Sequence, residues 1–481
     1  MALLLTAYAV MWTLYGIIAK GSQDIHFDMG EMVSWSHEVV LGTPKHPPLA
    51  AWLVRLWFEI FPAQGWAYYL FAVVLATLAL WVAWHVAAPF CSPQKRVVGV
   101  VLLSLVPFYN FHALKFNANT VLIPFWALTT WWFLRSLETR RAGWAVLAGA
   151  GAAASVLGKY WSLFFLAGLG VAALGDPRRR LYFRSAAPWL TIAVGTLLIA
   201  PHVAWVVTHD FESLRYAFGS HPATYLSATA HAFVFLAGVL AFIAAPIVLG
   251  LLAARPSAAA IRDTLWPTDD QRRTIVVAFV APILIAALSA IPLKVTVGSL
   301  WMMSGMTLLP IVLLSSPLVT ITRSSTVWLL TAAIVYPTLM VVASPVIAMV
   351  IHREGVTHYA AHYRLIARAV ERAWVDHTKA PLRIVGSDSP IVNGIVFYFE
   401  EQPSTLEILN HAETPWVDEN RIKHEGAAVV CPLPESACIT ALAAYAKRFH
   451  DIEITDVALA RRYFGALDTP VHYRILIISP Q

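Results

Sequence analysis

Five apolar runs limit what this chain can become. Ala2–Ala19, Trp66–Ala87, Ala232–Ala254, Thr274–Pro292 and Val327–Ile351 carry almost no charge. Each holds about 18 residues or more, enough to cross ~30 Å of hydrocarbon as a helix. Shorter runs at Val97–Tyr109, Thr120–Leu134, Trp144–Leu157, Trp161–Leu174, Trp189–Val207 and Leu300–Leu318 read as further spans. The total expected is roughly eleven transmembrane helices. Composition agrees: 58% of residues are apolar and 13% charged, against about half and about a quarter in soluble domains.

The formal charge of +6 is distributed over alternate loops. Lys95-Arg96, Arg135 with Arg140-Arg141, Arg178-Arg179-Arg180, Arg262 with Arg272-Arg273, and Arg323 fall on one side of the expected spans. This is the positive-inside pattern, so the N-terminus is expected in the cytoplasm and the C-terminal region outside. A charge of +6 could suggest nucleic acid or anionic lipid as a partner, but this distribution makes the excess mainly topological. Membrane lipid is expected as a partner of a chain with these spans, and nucleic acid is not. Ala2–Ala19 lacks a basic leader and runs on into the protein, which predicts a retained first span.

Two regions follow. Residues 1–351 form the all-α membrane domain, and residues 352–481 read as a small α/β domain outside the membrane. In the latter, Tyr359–Asp376 has amphipathic helical spacing and Glu435–Phe449 predicts another helix. Leu382–Val385, Ile395–Phe399, Thr405–Leu409, Ala427–Val430 and Tyr473–Ile478 read as strands. Cys431 and Cys438 lie where disulfides persist and are a candidate pair, while Cys91 falls on the inner side.

The loop over residues 25–49, IHFDMGEMVSWSHEVVLGTPKHPPL, interrupts the apolar pattern. Asp28 and Glu31 are three residues apart and would share one helix face; Asp28 equally suits an N-cap. Pro47-Pro48 must bend the chain and hold Lys45-His46 at the bend. Residues 50–62 then predict an interfacial helix. A carboxylate here could take a proton from an acceptor hydroxyl, and Lys45 or His46 could hold a phosphate. Other outer turns repeat the theme: Lys115, Asn117 and Asn119; Lys159-Tyr160; His202, Asp210 and Arg215; and Lys294. Lone lysines at helix ends often only snorkel, but several beside amides and carboxylates mark a candidate site. There is no phosphate-binding glycine loop and no HExxH, and the cysteines lack zinc spacing. No cofactor is expected, although a divalent ion on Asp28 and Glu31 stays open.

FDMGEMVSWSHEVVLGTPKHPPLAAWL resembles the first outer loop of the GT-C membrane glycosyltransferases, in the family 39 or protein O-mannosyltransferase-like branch. FNANTVLIPFWALTTWWFLRSL and LGKYWSLFFL resemble helices of its bacterial members. The resemblance implies an enzyme of the bacterial inner membrane that transfers a sugar, hexose or pentose, from a polyprenyl-phosphate donor. Inversion at the anomeric carbon and a lipid, glycan or protein acceptor are implied with it. Asp28 takes the place of the catalytic base, with Glu31 as the alternative because Met29 departs from the usual Asp-Glu pair. Lys45, His46, Lys115, Lys159, Arg215 and Lys294 become candidate phosphate ligands. Asn117, Asn119, Tyr160, His202 and Asp210 become candidate substrate contacts. A transporter or flippase of a lipid-linked substrate is the competing expectation.

Overall fold

The computed structural model describes residues 1–355, 360–434 and 436–481. Tyr359 and Glu435, the expected starts of two helices, lie outside them. The helices, in chain order, are α1 Ala2–Ala19, α2 Phe27–His37, α3 Leu49–Phe58, α4 Gly65–Val86, α5 Pro93–Ser104, α6 Ala118–Thr139, α7 Ala142–Gly158, α8 Ser162–Gly175, α9 Arg179–Phe183, α10 Ala187–Thr208, α11 Glu212–Gly219, α12 Tyr225–Ala254, α13 Ala258–Leu265, α14 Asp270–Leu293, α15 Leu309–Leu314, α16 Arg323–Glu354, α17 Tyr363–His377, α18 Ser389–Val396, α19 Glu419–Glu425 and α20 Ser436–Arg448. Among the described residues six of them (α1, α4, α10, α12, α14 and α16) are long and apolar enough to cross a membrane.

The other expected spans are helical but shorter or more polar. The run Val97–Tyr109 breaks after Ser104, and Pro107 starts a separate 3-10 turn over Pro107–Tyr109. The run Leu300–Leu318 is a 3-10 helix over Ser299–Leu308, followed by α15 with Pro310 in its first turn. Proline lacks the amide hydrogen that would continue a helix and clashes with the preceding turn, so it is best accommodated where a helix begins, although Pro124, Pro201, Pro246 and Pro282 lie inside α6, α10, α12 and α14. α7 and α8 have 17 and 14 residues and are separated by the turn at Lys159-Tyr160.

Two compact units emerge. One contains Met1–Thr13, Lys45–Leu49 and Leu70–Leu339; the other contains Leu14–Pro44, Ala50–Tyr69 and Met340–Gln481. In the second unit the loop segment carrying α2 packs with C-terminal residues, chiefly on α18.

In the first unit α6 packs on α7, α7 on α10, and α8 on α14. Small residues permit the close approach. A Cβ on Gly149 would stand 2.5 Å from the Thr191 carbonyl oxygen of α10, the small-residue contact typical of membrane helices. Near the loop opposite, Asp263 accepts from Arg272 at 2.8 Å and from the Ser316 hydroxyl at 2.6 Å. These bonds hold its carboxyl down at about 2, the Arg272 bond first.

The second unit contains a five-stranded mixed sheet. Its strands are β1 Ile384–Ser387, β2 Ser404–Glu407, β3 Ala427–Leu433, β4 Ile452–Leu459 and, after the two-stranded pair β5 Arg462–Tyr463 and β6 Ala466–Leu467, β7 Val471–Ile478. The order is β2-β1-β3-β7-β4. β1 runs parallel to β2 and β3, and β7 runs antiparallel to β3 and β4. Alternation along β3 sorts the core into two layers. Ala428 and Val430 join Tyr363, Ile366, Val370 and Trp374 of α17. Ala427, Val429 and Cys431 join Leu442 and Tyr445 of α20. The small α/β domain expected from sequence is therefore present. Cys431 and Cys438 are joined by a disulfide between β3 and α20, with Cα atoms 5.6 Å apart.

The expected strand over Ile395–Phe399 is corrected: Ile395 and Val396 end α18. Asp388 sits at the N-cap and Pro390 in the first turn, and these start signals override the β-branched run. Ser387-Asp388-Ser389 is the short connection from strand to helix.

Glu407, at the end of β2, is 3% exposed. Its Oε1 accepts from the Leu409 amide at 2.8 Å, while Oε2 has no partner among the described residues. Burial, aided by Glu413 and Asp388, pushes its carboxyl up to about 7. A raised folded-state value gives stability that is complete below about pH 4.5 and is lost as pH rises through about 7. The loss by pH 8 is on the order of 3 kcal/mol. Glu407→Gln keeps an acceptor for Leu409 and cannot ionise. Hydrogen exchange of the sheet amides between pH 5 and 8 is expected to show a falling opening free energy in the wild type and a flat one in the variant.

Candidate active site

Within the second unit, the acidic stretch of the loop is helical. α2 begins at Phe27, and its N-cap is His26, whose Nδ1 accepts from the Asp28 amide at 3.1 Å. Asp28 therefore opens the first turn and is not the cap. Its side chain remains 20% exposed, with one oxygen 3.5 Å from His26 Nδ1. Glu31, one turn later, is buried at 6%. The two carboxylates share a helix, yet only Asp28 stays open to solvent.

The rest of α2 is fixed by close packing and hydrogen bonds. A Cβ on Gly30 would lie 2.0 Å from the Asn393 carbonyl oxygen of α18, so only glycine lets these helices meet. The Tyr68 hydroxyl donates to the Met29 carbonyl at 2.9 Å. Ser34 bonds Thr405 at 2.6 Å, His37 bonds Gln402 at 2.6 Å, and Ser404 donates to Glu38 at 2.9 Å. Burial pushes the His37 imidazole below its ordinary range. Gly30→Val is expected to destabilise by about 1–3 kcal/mol through overpacking, readable as faster proteolysis of the loop.

Asp24, ahead of α2, was not singled out by sequence reasoning. Its buried carboxylate accepts from Arg461 Nη2 at 3.1 Å and from the Arg364 amide at 2.9 Å, and its own amide donates to Ala360 at 2.7 Å. Arg461 also donates to the Ala361 carbonyl, and its amide reaches Asp468, which bonds His362 at 2.9 Å. Asp24 thus ties the start of the loop to the C-terminal domain.

In the first unit, the cationic end of the loop and several helix ends gather polar groups. His46 makes an edge contact with Tyr216 of α11 at 6.2 Å between ring centres. On the same helix, buried Ser213 bonds the Tyr160 hydroxyl at 2.6 Å, and that hydroxyl also bonds Nε2 of buried His202 at 2.9 Å. Tyr160 and His202, expected separately as substrate contacts, are therefore brought together. Lys159 donates to the Asn119 side chain at 3.0 Å and lies over the Trp301 ring at 4.8 Å. Asn117 caps α6 by accepting from the Asn119 amide at 2.9 Å.

His221 and Trp301 join this cluster without having been anticipated. Their rings meet edge-on at 5.2 Å. Burial first, and then the Lys159 charge, push His221 below the ordinary imidazole range. The backbone bonds Thr296 to His221 and Ala223 to Lys294 hold the Lys294 turn beside it. The Lys294 ammonium lies over Tyr225 at 4.6 Å. Lys115 is exposed ahead of Asn117, and Lys45 is half-buried at the bend. Asp210 and Arg215 are exposed, and among the described residues neither side chain forms a hydrogen bond or ion pair. No group of three or more His, Cys, Asp or Glu suited to a metal occurs among the described residues.

The pattern of the dolichyl-phosphate-mannose-protein mannosyltransferase family matches residues 45–205. A lipid A galacturonosyltransferase of Rhizobium johnstonii is 25% identical over 210 residues, 43% of this chain and 44% of the relative. A lipopolysaccharide core galacturonosyltransferase of the same organism is 26% identical over 218 residues, 44% and 43% of the two chains. The chain spans less than half the length of these curated relatives. The crystal structure of ArnT from Cupriavidus metallidurans bound to undecaprenyl phosphate superposes with a TM-score of 0.62 at 14% identity, over 100% of this chain and 99% of that one. Its apo form gives 0.63 at 13% identity, with the same coverage. The resemblance to the GT-C membrane glycosyltransferases thus holds in fold over the whole chain and in sequence over residues 45–205.

Proposed function

We infer that the chain transfers a sugar, hexose or pentose, from a polyprenyl-phosphate donor to a hydroxyl of a lipid acceptor. The reaction inverts the anomeric carbon and takes place at the outer face of a bacterial inner membrane. The observation that carries this reading is Asp28, the solvent-open carboxylate at the start of α2 in a loop otherwise fixed by packing. The relatives' names support sugar transfer and, for one, lipid A as acceptor; the ArnT complex supports a polyprenyl-phosphate ligand for this fold. The alternating basic loops support a cytoplasmic N-terminus and a periplasmic C-terminal domain.

In this mechanism the acceptor oxygen attacks the anomeric carbon while Asp28 removes its proton. The bond from that carbon to the phosphate oxygen breaks, and polyprenyl phosphate leaves. Lys159, oriented by Asn119 and Trp301, meets the charge on the departing phosphate. Lys45, His46, Lys115, Arg215 and Lys294 supply further positive charge or hydrogen-bond donors for it. Asn117, Tyr160, His202 and Asp210 stand as contacts to the sugar or acceptor. His221 and Trp301 join Lys159 at the surface that faces the donor.

Lys159→Gln is expected to lower kcat for donor turnover roughly tenfold, with a smaller change in the KM for the lipid-linked donor. The product's anomeric configuration, read by NMR, tests the stereochemistry. Retention would contradict a single displacement with Asp28 as base.

A further inference from the structure

Within the second unit, a cleft of about 840 Å³ opens between the end of α1, the start of α4 and α17. Four cations line it: Lys20, Arg364, Arg368 and Arg461. Glu371 and Glu400 oppose them on its walls, and buried Asp24 pairs with Arg461 at 3.1 Å and with Arg364 at 3.9 Å. Arg364 lies over the Tyr398 ring at 5.0 Å with half of its side chain exposed. Lys20 is half-buried and Arg368 exposed; among the described residues neither side chain forms a hydrogen bond or an ion pair. Four cations against the three carboxylates Asp24, Glu371 and Glu400 leave the cleft with one positive charge in excess.

The location selects the kind of anion. Lys20 follows the last residue of the membrane-spanning α1, and Trp66 is the second residue of α4, also a span. Both mark the level where hydrocarbon gives way to headgroups, and an interfacial tryptophan anchors at that depth. Ile17 and Trp66 give the rim an apolar edge, with 36% and 39% of their surfaces exposed. Basic side chains at this depth attract anionic lipid, and Arg364 and Arg368, one helical turn apart, can both donate to phosphate oxygens.

We propose that this cleft holds the phosphate of an anionic phospholipid headgroup, gripped by Lys20, Arg364 and Arg368 with an acyl chain against Ile17 and Trp66. The site is independent of the sugar-transfer reading: none of these residues is assigned to that chemistry. The full-length protein, reconstituted with equal phosphatidylglycerol and phosphatidylcholine, tests it by native mass spectrometry of the retained lipid. The wild type is expected to retain phosphatidylglycerol selectively, and Lys20→Gln with Arg368→Gln to retain roughly tenfold less. Lys379→Gln with Lys447→Gln removes as much charge from exposed positions outside the cleft and is expected to retain it as the wild type does. Equal retention by the cleft variant overturns the proposal, as does an equal loss in the control variant. Displacement of the lipid by millimolar inorganic phosphate also overturns it, by making the cleft a site for a soluble anion.

Discussion

Replacing Asp28 with Asn is expected to lower kcat for sugar transfer by about 10²–10⁴-fold, the usual worth of a general base. The change is nearly isosteric and keeps the Asp28 amide, whose bond to His26 starts α2. Loss of rate is therefore expected without loss of fold. Because the base acts on the acceptor, donor affinity should change little, so the defect falls on kcat and on kcat/KM for the acceptor alike. Glu31→Gln provides the contrast. Glu31 is buried inside α2, so its substitution should act through stability, with turnover by the folded fraction near the wild-type rate. A normal rate in Asp28→Asn together with a large loss in Glu31→Gln would exchange the two roles.

The second large effect is expected at Asp24. Replacement by Ala removes the carboxylate that Arg461 and the Arg364 amide both use. Arg461 is itself mostly buried, with 16% of its side chain exposed. Breaking a buried pair from one side costs about 3–5 kcal/mol, because the remaining charge stays desolvated and unmatched. Asp24→Asn keeps an acceptor but not the charge, and should cost less. Hydrogen exchange in α17 and β5, which carry or adjoin the partners, reads the difference. The loss should appear as faster opening of those segments, and unchanged protection in Asp24→Ala would contradict the tie described for this residue.

Much of the architecture was legible because it rests on local pattern. Uniform apolar runs announce the long spans, even those with an interior proline such as Pro201, Pro246 and Pro282, while Pro107 and Pro310 each sit where a shortened run restarts. The short apolar runs of β3 and β7 and the amphipathic α17 were visible for the same reason. β4 was missed because it is an edge strand with most residues exposed, which leaves little hydrophobic alternation to read. Ile395 and Val396 favoured a strand by residue type, while the deciding start signals lay several residues upstream. At the site, Asp28, Glu31 and the Lys45-His46 bend stood out as polar interruptions in an apolar chain. Asp24 did not, since its partners lie 340 and 437 residues away in sequence. Trp301 and His221 were equally hidden: an apolar tract and a short turn give no sign of Lys159, which reaches them only through the packing of separate helices.

The most direct test is donor turnover by purified protein in proteoliposomes containing a polyprenyl-phosphate sugar and a lipid acceptor. The wild type should release one polyprenyl phosphate for each acceptor lipid that gains a sugar, and Asp28→Asn should release about 10²–10⁴-fold less. Movement of intact donor across the bilayer, with no polyprenyl phosphate released and no acceptor gaining mass, would contradict the account and identify a transporter.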